Sequence, residues 1–161
     1  MRKQKNILIV ALIIAVVILG ALALMPKKGA SSVNNLVSFV DSASALVKEK
    51  GTGAFPEFND PKGKWINGDN YIFVYDMEGT TLVLPTQPKL VGTSRLATAD
   101  PAGERYVRTM INILNFKNSG WNSYLYAKPG ETIPSPKLSY FKLVEKDGIG
   151  YIVGSGIYLN K

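Results

Sequence analysis

Lys137 is the charge whose setting points most directly to chemistry. It stands between Pro136, which restricts the backbone, and an apolar run from Leu138 to Lys146. An ammonium group held there can pair with the carboxylate of a small ligand, a charge-assisted contact that strengthens where water is partly excluded. The plainer reading is a solvated loop lysine. Trp121 and Tyr124 can wall a ligand slot, the tyrosine adding one directional hydrogen bond, or can simply pack in a core. They lie three apart on a strand, so at most one faces the slot, and Trp121 is the expected wall. Tyr71, Phe73 and Tyr75 share a face by their period of two. Phe73 reads as core, and Tyr71 or Tyr75 as core or pocket with equal weight. Tyr140, three past Lys137, can bring a hydroxyl to the same site.

Other candidates read as structural. Arg105 and Arg108 are three apart on a helical stretch and could clamp a carboxylate, but a solvated face fits them better. Asp76 organises a turn through its own backbone, and Asp147 is turn chemistry. No carboxylate pair suggests a hydrolase. The chain has no His and no Cys, which removes a Ser-His-Asp triad, a thiol nucleophile, disulfides and a conventional zinc site. No cofactor is expected, and the chain reads as a binding protein rather than an enzyme.

The elements that must position these residues begin with an apolar run. Ile7 to Met25 holds nineteen residues without a charge or strongly polar side chain. As a helix it measures roughly 28 Å, close to the ~30 Å of a bilayer core. Thirteen of its residues are Ile, Leu or Val, and it has no polar face. A single membrane span is the reading, with residues 1–28 as the anchor. The run carries Arg2, Lys3 and Lys5 before it and Lys27 and Lys28 after it. Removing those five from the net charge of +7 leaves 14 basic against 12 acidic residues, so the excess points to a membrane and not to nucleic acid. Three charges against two place the C-terminal part outside the cytoplasm. A cleaved signal peptide ending near Ala21-Leu22-Ala23 is the alternative, and it would leave a secreted domain. A pilin-like subunit with an apolar N-terminal helix is the structural alternative, although no acidic residue stands near the start of that helix.

After a Pro26–Ser32 linker, Val33, Leu36, Val37, Val40, Ala43 and Val47 recur at helical spacing until Gly51. A parallel homodimer through this helix is one possible partnership. Tyr71–Tyr75, a turn at Asp76–Gly79 and Thr80–Leu84 form a hairpin signature. Asp100-Pro101 reads as the start of a second helix whose stripe is Tyr106, Val107, Met110, Ile111 and Leu114. Trp121–Lys128, Leu138–Lys146 and Gly150–Tyr158 read as strands, with a Pro-rich excursion before the second and an Asp147-Gly148 hairpin before the third. The class is α+β, with five antiparallel strands and helices packed on them, in one domain over residues 29–161.

An ordered series of short segments gives a family resemblance. Gly68-Asp69-Asn70-Tyr71-Ile72-Phe73-Val74-Tyr75-Asp76-Met77-Glu78-Gly79-Thr80 comes first. Pro85, Pro88, Leu90-Val91-Gly92 and Asp100–Gly103 follow. The series continues with Gly120-Trp121, Tyr124, Pro136-Lys137, Ser139-Tyr140 and Gly154-Ser155-Gly156-Ile157-Tyr158. Together they resemble the Cache family of extracytoplasmic sensor domains, single-Cache type, whose sheet is PAS-like. The resemblance implies a long N-terminal helix leading to a five-stranded sheet. It also implies a pocket on one sheet face for a small metabolite such as an organic acid or amino acid, bound for sensing and signal transduction. Many relatives carry His where this chain has Leu84, so a ligand contact from that position is absent here. No kinase, cyclase or chemotaxis segment is visible, so the expectation is a module whose occupancy is read by a separate signalling partner.

Overall fold

The computed structural model describes residues 28 to 159. The apolar run Ile7–Met25 lies outside them, and among the described residues no helix is long and apolar enough to cross a membrane. The chain divides into two compact units, Met1–Ser32 and Val33–Lys161, and every strand belongs to the second.

Helix α1 (Lys28–Lys50) begins within the expected linker, since no proline follows Pro26 to stop it. Leu36, Val40, Ala43 and Val47 are buried along one stripe, while Val33 and Val37 are only half-buried. Gly51, at φ +56°, ends the helix in a backbone region that favours glycine. A one-turn 3-10 segment (Gly51–Ala54) and the short helix α2 (Phe55–Asn59) follow, and Phe58 is buried.

The strands are β1 (Ile66–Asn67), β2 (Asn70–Tyr71), β3 (Phe73–Asp76), β4 (Thr81–Val83), β5 (Ser119–Ala127), β6 (Pro134–Lys146) and β7 (Ile149–Tyr158). β1 and β2 pair as a small two-stranded ribbon, and the other five form one antiparallel sheet in the order β4-β3-β7-β6-β5. Asp76 builds the β3–β4 turn as expected, its Oδ1 accepting from the amides of Glu78 (3.0 Å) and Thr80 (2.7 Å). The β6–β7 turn places Asp147 and Gly148 both at positive φ, which suits a tight hairpin.

Two sequence expectations need correction. The Pro-rich excursion is partly strand, because β6 begins at Pro134 and pairs with β5 from there. β7 joins only at Lys137, so neither Pro134 nor Pro136 denies it a ladder amide. The second helix, α3 (Tyr106–Leu114), starts six residues past Asp100. There Asp100 folds its own turn: Oδ1 accepts from Ala102 (2.8 Å) and Glu104 (2.9 Å), and Gly103 adopts φ +88°. Oδ2 accepts from the amide of Leu125 on β5 (2.7 Å), which fastens the loop to the sheet edge.

The period of two along the strands divides the core. Ile72, Val74, Val83, Val144, Tyr151 and Val153 pack with Ala43 and Val47 of α1 and with Phe58. Tyr71, Phe73, Tyr75, Phe141 and Ile152 pack on the other face with Tyr106, Val107, Met110 and Leu114 of α3. Each fully buried apolar side chain contributes about 1.5–3 kcal/mol. The sheet is therefore a middle layer with a different chemistry on each side.

Asp100 gives the first test. Burial opposes its charge, but backbone hydrogen bonds from Leu125, Glu104, Ala102 and Gly103 outweigh this and hold the carboxyl below its usual range. A lowered folded pKa contributes stability above the unfolded value near 3.9, lost as pH falls through the folded one. Asp100→Ala should lower unfolding free energy by about 1–3 kcal/mol at pH 7 in urea titrations. The difference from wild type should shrink at the acid end of the range.

Candidate ligand-binding site

Lys137 occupies a core position. Along β6 the buried residues Lys137, Ser139 and Phe141 alternate onto the α3 face of the sheet. Its cross-strand neighbours are Tyr124 on β5 and Tyr158 on β7. Lys137 is only 1 % exposed, so it is not the solvated loop lysine of the plainer reading.

The space for its side chain comes from glycine. A Cβ at Gly156 would stand 2.6 Å from Lys137 Cε and 2.4 Å from Ser139 Oγ, closer than atoms tolerate. Gly154 likewise leaves room for the Phe73 ring, where a Cβ would meet Cζ at 2.4 Å. The Gly154-Ser155-Gly156 segment thus hollows the sheet surface beneath the lysine. Between the glycines, Ser155 Oγ donates to the Tyr71 carbonyl (2.8 Å) and holds that tyrosine's backbone against β7.

Around the ammonium stand four aromatic rings, with centroids at 4.2 Å (Tyr71), 5.2 Å (Tyr158), 5.3 Å (Tyr126) and 5.9 Å (Phe73). Lys137 Nζ donates to the Tyr71 hydroxyl at 3.0 Å. Among the described residues no carboxylate lies within ion-pair distance of it. Ring faces and one hydroxyl compensate part of the charge. They do not replace an anion, and an unpaired buried charge is costly. Burial pushes the phenols of Tyr75 and Tyr124 well up, and those of Tyr106, Tyr126 and Tyr158 up as well. They therefore remain neutral hydroxyls at physiological pH.

Beside this cage lies a cleft of about 190 Å³ lined by Gln87, Arg95, Asp100, Tyr106, Tyr126 and Pro134, among others. Tyr126 belongs to both, its ring 5.3 Å from Lys137 Nζ and its side chain lining the cleft. Gln87 of the same cleft stands beside its buried hydroxyl. A larger cleft of about 340 Å³ lies at Asn35, Leu36, Phe39, Asn67 and Asn70. Among the described residues none that lines it is ionisable, so the smaller cleft is the one tied to the charge.

Of the sequence candidates, the structure brings Lys137, Tyr71, Tyr75 and Tyr124 to one face. Tyr124 shares a hydrogen bond with Ser139 Oγ (2.9 Å) and stacks on Tyr106 (4.6 Å). Tyr75 sits against Phe73 (5.4 Å), outside the rings around the ammonium. Trp121 and Tyr140 are placed elsewhere, which corrects both the preference for Trp121 over Tyr124 and the pairing of Tyr140 with Lys137. They are register partners on the α1 side of the sheet, rings 4.8 Å apart, with Trp121 38 % exposed. A step of three along a strand reverses the face, and this applies to Lys137 and Tyr140 as it does to Trp121 and Tyr124.

Sequence reasoning missed Tyr126, Tyr158, Ser139 and Arg95. The period of two was signal enough to couple Tyr126 to Tyr124 and Ser139 to Lys137. Tyr158 required the β6–β7 register, and nothing local marks Arg95.

Comparisons with known proteins identify the family and the fold. The model of the Cache domain family matches residues 62–161. The chain belongs to the Cache domain family. Cache domains are ligand-binding modules of signalling receptors, and the fold is of a non-catalytic kind. A methyl-accepting chemotaxis protein of Pseudomonas putida is 30 % identical over 92 residues, which is 57 % of this chain and 16 % of that protein. The chain thus matches only about a sixth of that curated relative's length. A solved periplasmic sensor domain of a chemotaxis protein is 26 % identical with a TM-score of 0.74, covering 84 % of this chain and all of that one. A Cache chemosensory domain solved to explain carboxylic acid recognition is 24 % identical with a TM-score of 0.69, covering 81 % of this chain and 95 % of that one.

A ligand-free Cache domain that buries an unpaired ammonium should gain stability when the charge is removed. Lys137→Met fills a similar volume without charge. Its unfolding free energy in urea titrations should equal or exceed that of wild type, by up to about 1–4 kcal/mol on the precedent of buried ion pairs replaced by apolar groups. A loss of more than about 1 kcal/mol would mean that the lysine serves the fold.

Proposed function

We propose that this Cache domain captures a small organic acid, with the ligand carboxylate on Lys137 Nζ and tyrosine hydroxyls at its sides. One observation carries the reading: a lysine 1 % exposed, ringed by aromatic side chains, with no acidic partner among the described residues. A carboxylate supplies the missing charge, and the closed setting makes that contact stronger than in water. The Tyr71 hydroxyl now on Nζ can turn to donate to the incoming oxygen. The solved Cache domain that recognises a carboxylic acid supports the same class, as a likeness of fold.

An organic acid fits better than an amino acid. An α-ammonium needs an acceptor, and Asp100, the acid that lines the adjoining cleft, is already engaged by three backbone amides. At the Leu84 position a buried aliphatic side chain joins the same cluster as Tyr71, so an apolar ligand tail suits that wall.

The same proposal includes an anchor. Ile7–Met25 spans a membrane and holds the domain outside the cytoplasm, where its occupancy is read by a signalling partner. The periplasmic setting of the similar sensor domain supports this placement. Sedimentation with membranes after an alkaline wash tests it, and release into the supernatant would exclude a span.

The binding test is a thermal-shift series on the whole chain with acetate, propionate, butyrate and neutral amides of the same lengths. An acid at 100 times its dissociation constant should add about 2.7 kcal/mol, and its amide should add nothing. Lys137→Met should abolish the shift, while Trp121→Ala, on the other face, should keep it. The reading fails if no acid stabilises the chain or if Lys137→Met binds as well as wild type.

A further inference from the structure

A second cation stands in the adjoining cleft. Arg95, in the loop after β4, lines the cleft of about 190 Å³ and is half-buried. Its Nη2 donates to the Tyr106 hydroxyl at 2.7 Å. Among the described residues no carboxylate lies within ion-pair distance of its guanidinium, and Asp100 of the same cleft points its oxygens at the amides of Ala102, Glu104 and Leu125. Tyr106 packs edge-on against Tyr126 at 5.8 Å, and the Tyr126 ring lies 5.3 Å from Lys137 Nζ. Two cations without acidic partners therefore flank one pair of tyrosine rings. One sits in the closed cage and the other in the open cleft.

We propose that Arg95 is the specificity-determining residue of the site, and that the preferred ligand is a short dicarboxylate with one carboxylate on Lys137 and the second on Arg95. The proposal rests on the Lys137 reading above and adds the second end of the ligand. A monocarboxylate answers the buried charge but leaves the guanidinium with neutral partners. A dicarboxylate answers both, and guanidinium offers a planar fork that suits a carboxylate. Tyr126 is the side chain that must turn for one molecule to reach both charges.

Calorimetric titration of the whole chain with succinate and with butyrate tests this, since the two have equal chain length and differ in the second carboxylate. Succinate should bind wild type at least tenfold more tightly. In Arg95→Gln, or in Arg95→Met should the first variant fail to fold, that ratio should fall to within twofold of unity while butyrate affinity stays within twofold of wild type. Arg95→Lys, which keeps the charge, should retain a preference for succinate. Succinate binding wild type no better than butyrate, or a preference that survives both neutral variants, overturns the role of Arg95 and leaves the Lys137 reading standing. Failure of both acids to bind wild type, or their undiminished binding to Lys137→Met, removes the Lys137 reading and this proposal with it.

Discussion

The structure depends on one unpaired charge. A lysine ammonium placed at a core position of β6 must be accommodated without an acid, and the surrounding residue types follow from that need. Aromatic faces supply partial negative charge, a hydroxyl accepts one hydrogen bond, and two glycines remove the side chains that would otherwise occupy the space. The arrangement is costly when empty, because neutral groups do not repay the desolvation of a cation. In the proposed reading, a bound anion relieves that cost.

The sheet makes this possible by giving its two faces different work. On the α1 side, aliphatic and aromatic residues form a dry core that carries stability. On the α3 side, the wall is largely tyrosine, with hydroxyls available to be rearranged around a solute. Asp100 links the two requirements. By capping its own turn and binding the Leu125 amide, it ties the cleft-lining loop to β5 beside the cage. The cleft-lining loop is thus fixed to the strand beside it.

Much of this was legible in the residues. The period of two put Tyr71, Phe73 and Tyr75 on one face, and the turns at Asp76 and Asp147-Gly148 formed where their chemistry required. Lys137 stood out because a charge between a proline and an apolar run is unusual. Its burial was not legible, since a strand start and a loop end look alike when prolines occupy the boundary, and β6 proved to begin at Pro134. Trp121 attracted attention by size alone, and only the register showed it on the α1 side with Tyr140. The cage needed contacts between strands far apart in sequence, such as Lys137 with Tyr71, that no local pattern encodes. The helix start near Asp100 was misread because Asp-Pro serves both as a helix cap and as an independent turn, and Gly103 decided for the turn.

The most direct test is the electron density of the chain crystallised with a small carboxylate such as propionate. The account requires carboxylate density within hydrogen-bond distance of Lys137 Nζ, with the Tyr71 hydroxyl turned toward the ligand and the cage rings around it. Well-ordered ligand at another place on the molecule, with the Lys137–Tyr71 bond unchanged, would contradict it.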